Sequence, residues 1–159
     1  MFVGRKKELD ALNSRYTSNR KEFGVLYGRR RIGKSSILNE FLKGKNGLLF
    51  QAKQDNSYGN LKSFSYEVDH LLDLPDTFVF ASWQHAFKSI QEYAKNERFV
   101  LVIDEYPYIV SQDSSFSSVL QEFIDHASDN MMVILSGDNV KIKFTKMDRL
   151  FFTNLDRIF

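Results

Sequence analysis

Apolar positions along this chain follow two rhythms. Leu9, Leu12 and Tyr16 recur at helical spacing after Gly4-Arg5 and predict an amphipathic helix over 5–17. Phe23-Gly24-Val25-Leu26-Tyr27 is a short apolar run that stops at Gly28, and Ile37, Leu38, Phe41 and Leu42 then supply one helix face. Strand, loop and helix follow one another there. A second strand is predicted over 47–52, then helices over 60–72 and 82–95 with Leu74-Pro75-Asp76 as the breaker between them. Phe99-Val100-Leu101-Val102-Ile103 is apolar throughout, the signature of a strand covered on both faces by helices and so of a parallel sheet. Phe116, Val119, Leu120, Phe123 and Ile124 mark a helix over 115–127, and residues 131–135 form another buried strand. Alternation of this kind predicts an α/β sandwich built from right-handed crossovers, with no internal repeat.

Composition narrows the setting more than the chemistry. A chain of 159 residues with 43% apolar side chains and 15 phenylalanines can bury one sizeable core and is short for two ordinary domains. The net charge of +2 makes no case for nucleic acid or a membrane, so neither is an expected partner on charge. The absence of cysteine excludes disulfides and thiolate metal sites and fits a reducing compartment. Charges at Arg5, Lys6, Lys7 and Glu8 occupy the place of a signal peptide's apolar stretch, and the cytoplasm is the expected location.

Candidate chemistry begins at Gly28-Arg29-Arg30-Arg31-Ile32-Gly33-Lys34-Ser35, a full match to G-x-x-x-x-G-K-[ST] between a predicted strand and a predicted helix. The glycines let the loop wrap a phosphate chain, and its N–H groups and the following helix N-terminus point at the anion. Lys34 is expected to reach the β- and γ-phosphates, and the Ser35 hydroxyl to ligate Mg²⁺, with Ser36 beside them at the helix start. The competing readings are a chance match in a turn and, for the three arginines, a solvated or nucleic-acid-binding patch.

The apolar run over 99–103 delivers Asp104 and Glu105 to its C-terminal edge, where ligands bind in open α/β sheets. Asp104 is expected to hold the magnesium ion through water, and Glu105 to act as general base on the attacking water. The plain alternative is an exposed acidic pair at a strand end. Ser136, in Ser136-Gly137-Asp138-Asn139 after the next strand, is a candidate sensor of the γ-phosphate, although Gly-Asp-Asn is equally an ordinary turn. His70, His85 and His126 lie apart in helical stretches and receive no role.

Together these residues give the chain a resemblance to the archaeal-type ATPases of the STAND class, which are AAA-like P-loop NTPases. The resemblance rests on Phe2-Val3-Gly4-Arg5 with Glu8-Leu9, on the cradle from Gly28 to Ser35, and on Asp104-Glu105-Tyr106-Pro107-Tyr108, and covers residues 1–138 as an ATPase domain. It implies a P-loop three-layer sandwich with a mostly parallel sheet, ATP and Mg²⁺ as ligands, and an adenine-side role for Val3, Gly4 and Arg5. It also implies a helical lid and further C-terminal regions, which this sequence does not match beyond Asp138, so it reads as an N-terminal ATPase domain that is apparently truncated.

In the order the resemblance implies, the cradle strand lies between the sensor strand and a fifth strand that arrives later. That last strand is expected to be missing here. Val140, Ile142 and Phe144 alternate with polar residues, but only residues 136–139 would link them to the preceding strand, and a parallel crossover needs about a dozen. The segment 139–159 is therefore left without a place, except that Leu150, Phe151, Phe152, Leu155, Ile158 and Phe159 could form a short helix over an open edge. An open edge at 23–27 predicts self-association. The expected activity is magnesium-dependent, switch-like ATP hydrolysis. The alternatives are a nucleotide-binding remnant or subunit without hydrolysis, whose missing parts a protein partner supplies, and a small-molecule kinase, which the adjacent Asp104 and Glu105 disfavour.

Overall fold

The computed structural model describes residues 5–28, 33–138 and 150–154. In chain order it contains α1 (Lys6–Tyr16), β1 (Glu22–Tyr27), α2 (Lys34–Leu42), β2 (Gly47–Gln51), α3 (Ser57–Leu72), α4 (Trp83–Tyr93), β3 (Phe99–Asp104), α5 (Pro107–Gln112), α6 (Phe116–His126), β4 (Met131–Gly137) and β5 (Leu150–Asn154). The apolar runs predicted as strands are strands, and the predicted helices are helices. The short α5 escapes a periodicity reading, because a helix of 6 residues shows too few repeats, although Pro107 at its first turn suits a helix start.

Strand order is β2-β3-β4-β1-β5. Every pairing is parallel. Four strands, β2 to β1, form the body of the sheet, and β5 extends it along β1 with Phe23 opposite Leu150 and Tyr27 opposite Asn154. The expectation of a missing last strand is thus overturned, and with it the premise that β1 is an open edge. Residues 138–149 connect β4 to β5, which meets the dozen or so that a parallel crossover requires. The alternating stretch 140–145 lies outside the described residues. The segment 150–154, expected to belong to a covering helix, supplies the strand instead, farther along the chain than the alternation suggests.

Strand side chains alternate between faces, so the sheet carries two cores. Phe99, Leu101 and Ile103 join Phe23, Met131, Val133 and Leu135 under α3, α4 and α6. Val100 and Val102 join Leu26, Met132 and Ile134 under α1 and α2, where Leu12, Ile37, Leu38 and Phe41 cover them. Helices on both faces make the three-layer sandwich. The first core carries an aromatic cluster at its helical layer, with Phe87 stacked on Phe123 at 4.7 Å and Trp83 edge-on to Phe116 at 4.8 Å. No helix among the described residues is long and apolar enough to cross a membrane.

Candidate functional site

The alternation that builds the two cores also aims the site. Val100, Val102 and then Asp104 follow one face of β3, and Met132, Ile134 and then Ser136 follow the same face of β4, the face covered by α2. At the C-terminal edge the apolar series therefore ends in a carboxyl and a hydroxyl side by side. The Ser136 Oγ donates to Asp104 Oδ1 at 2.6 Å, and both residues are buried. The Glu105 N–H donates to the same oxygen at 2.9 Å, while Ser35 Oγ, coming from α2, donates to Asp104 Oδ2 at 2.9 Å. Residues 69 positions apart in the chain thus meet at one carboxyl.

On the α2 side, Gly33 is the N-cap and adopts φ 92, ψ 18. A residue with a Cβ is strained there, which explains the glycine. Having no side chain, Gly33 places no cap of its own on the first-turn N–H groups, so the helix start keeps its capacity for an anion. Lys34 follows with only 6% of its surface exposed. Its Nζ donates to the Gly28 carbonyl at 2.7 Å and to Asp138 Oδ1 at 3.0 Å. Ser35 and Ser36 are exposed at the helix start.

Glu105 lies just past the end of β3 with φ 57, a left-handed conformation rare for a residue with a side chain. Strain of this kind gathers at functional sites, where the surroundings hold it. The surroundings are visible here. The Tyr106 N–H donates to the Ser136 carbonyl at 3.0 Å and the Tyr108 N–H donates to the Glu105 carbonyl at 3.0 Å. Tyr106 itself is buried, packs on Phe116 at 5.8 Å and shares a 2.6 Å hydrogen bond with Ser117. Burial pushes its phenol up, partly offset by the Ser117 bond. The acidic corner is thereby pinned to α6.

The structure brings together Gly28, Gly33, Lys34, Ser35, Asp104 and Ser136, with Glu105 beside them. Arg5 starts α1, its carbonyl accepting from the Leu9 N–H at 3.0 Å. Val3, Gly4, Arg29, Arg30, Arg31 and Ile32 lie outside the described residues. Two features went unread in the sequence. The Ser136 hydroxyl is engaged by Asp104, and it is Asp138, two residues on, that reaches Lys34. An acidic residue in the turn leaving β4, on the parity that faces α2, was the available signal.

The donors available for a metal are a hydroxyl and a carboxylate. Such hard oxygen donors fit magnesium, which takes one or two protein ligands and leaves its remaining positions to water and phosphate. The left-handed glycine and the buried lysine at a helix start fit a nucleotide's phosphates equally well.

The family model for an ATPase domain predominantly from Archaea matches residues 2–146. An uncharacterized protein of Methanocaldococcus jannaschii is 27% identical over 149 residues, covering 92% of this chain and 32% of its own length. An uncharacterized ATP-binding protein of the same organism is 44% identical over 45 residues, covering 28% of this chain and 76% of its own. Among solved structures, the Walker-type ATPase of Pyrococcus abyssi superposes with a TM-score of 0.63 at 18% identity, covering 86% of this chain and 45% of that one. The Orc1 protein of Aeropyrum pernix, solved in complex with DNA, does so with a TM-score of 0.65 at 13% identity, covering 88% and 40%. At those identities the likeness concerns the fold. The chain spans about a third of the length of the first of these relatives and under half of both solved chains.

Proposed function

Since the chain belongs to the family of ATPase domains found predominantly in Archaea, we propose that it binds ATP with magnesium and hydrolyses it to ADP and phosphate as a switch of the STAND type. Family membership makes it a nucleotide-binding ATPase domain at the general level. The finer reading is carried by one observation, the meeting of Ser35 Oγ with Asp104 Oδ2 at 2.9 Å beside a buried Lys34. In this reading Lys34 and the first turn of α2 bind the phosphates, and Ser35 and Asp104 hold the metal. Bound magnesium would neutralise phosphate charge and orient the phosphoryl oxygens. Ser136 and the Glu105 N–H fix the Asp104 carboxyl in place. Glu105 accepts the proton of the attacking water at its carboxylate, and the buried Tyr106 holds that segment against α6. A cytoplasmic location accompanies this reading.

A second reading, to which the pairing of Lys34 with Asp138 at 3.0 Å lends support, is a binding module that hydrolyses ATP only with parts supplied by a partner. Calorimetry of ATP with and without magnesium, combined with phosphate release, tests both. ATP should bind more tightly with magnesium, Lys34→Ala should abolish most of that binding, and Glu105→Gln should lower turnover about a hundredfold while keeping affinity. Equal ATP affinity in Lys34→Ala sinks the cradle assignment. Binding without phosphate release selects the second reading.

A further inference from the structure

Lys34 is already held where a phosphate would be expected to hold it. Its ammonium, with 5% of the side chain exposed, meets a carbonyl at 2.7 Å and the Asp138 carboxylate at 3.0 Å. Asp138 keeps 33% of its side-chain surface exposed and lies one residue past the end of β4, on the open C-terminal edge of the sheet. Groups that share a tetrahedral ammonium at about 3 Å are themselves about 5 Å apart. A phosphate oxygen on Lys34 would thus lie about 5 Å from a half-buried carboxylate, and like charges at that separation repel.

Resting on the nucleotide reading above, we propose that Asp138 is a specificity-determining residue that occupies Lys34 in the nucleotide-free state and weakens ATP relative to ADP. Any nucleotide must displace or share the 3.0 Å ion pair. ATP also brings the charge of its γ-phosphate to the lysine end of the cradle, so it meets more repulsion than ADP does. The structural role of Ser136 follows a different logic. Its hydroxyl faces Asp104, whereas Asp138 faces the phosphate-binding cation. Both residues leave β4 on one parity, which is why one short turn serves the metal side and the phosphate side of the site.

The test measures ATP and ADP affinities calorimetrically, with magnesium, for the wild type, Asp138→Asn and Asp138→Ser. Loss of a charged hydrogen bond that competes with ligand should raise ATP affinity about tenfold or more. ADP should gain no more than about threefold, so the ATP/ADP ratio moves toward ATP, a change that mere loosening of the fold would not produce. An unchanged ratio in both variants, or weaker ATP binding, overturns the proposal. Failure of the underlying reading looks different, because then the folded wild type itself binds neither nucleotide, and the proposal falls with it.

Discussion

Replacing Ser136 with alanine removes one atom from the centre of the site. Ser136 is fully buried, and its hydroxyl donates at 2.6 Å to a carboxyl that is only 1% exposed. The same Oδ1 keeps the Glu105 N–H at 2.9 Å, and Oδ2 keeps Ser35 Oγ at 2.9 Å, so Asp104 loses one of three donors. A hydrogen bond to a charged group contributes about 1.5–3 kcal/mol, and little water can reach this pocket to replace it. The expected loss is therefore about 2 kcal/mol, which in a chain of this size lowers Tm by roughly 4–8 °C. Urea unfolding of the nucleotide-free protein reads the first number and a thermal melt the second. Affinity for ATP should fall chiefly in the presence of magnesium, because the carboxyl is then less well aimed at the metal. If Ser136→Ala keeps the wild-type stability without ligand and loses turnover alone, the hydroxyl acts on the γ-phosphate, and its assignment to Asp104 is wrong.

Three other expectations follow from the geometry. Glu105 has φ 57, so Glu105→Gly should be more stable than Glu105→Ala by about 1 kcal/mol, measured by chemical unfolding, while both lose turnover; equal stabilities would mean that the left-handed conformation is not retained. Asp69 is fully buried in α3 with neither carboxylate oxygen hydrogen-bonded, and burial, then the Asp76 charge, push its carboxyl above its ordinary 3.8 against an opposing pull from His70. A raised folded-state value means that this group's contribution is fully present below about 3.8 and is lost as pH rises through the folded value, so Asp69→Asn should flatten that part of a stability-against-pH curve; an unchanged slope refutes it. Finally, β1 has partners on both sides, so hydrogen exchange should find 23–27 as protected as 99–103, and fast exchange in β1 would argue against its pairing with β5.

Much of this protein is written locally in its sequence. The proposed phosphate cradle is a sequence pattern, two glycines, a lysine and a hydroxyl at fixed spacing, and the predicted strand before it and helix after it are β1 and α2. The apolar run ending at Asp104 is legible because a strand buried on both faces admits no polar residue until it reaches the sheet edge. Strand parity carries further, since Asp104 stands two residues after Val102 and Ser136 two after Ile134, which puts each on the same face as the apolar residue before it.

What the local pattern could not supply are contacts between distant segments. β5 pairs with β1 from more than a hundred residues away, and strand pairing depends on which edge is vacant and how long the connection is, neither of which alternation encodes. The sequence alone therefore pointed to a missing strand, while the tertiary structure placed 150–154 along that edge. The same holds inside the site. Serine after a strand can sense a phosphate or brace a carboxylate, and aspartate in a turn can serve the turn or a lysine. Only the meeting of α2, β3 and β4 at one sheet edge decides that Ser136 holds Asp104 and that Asp138 holds Lys34.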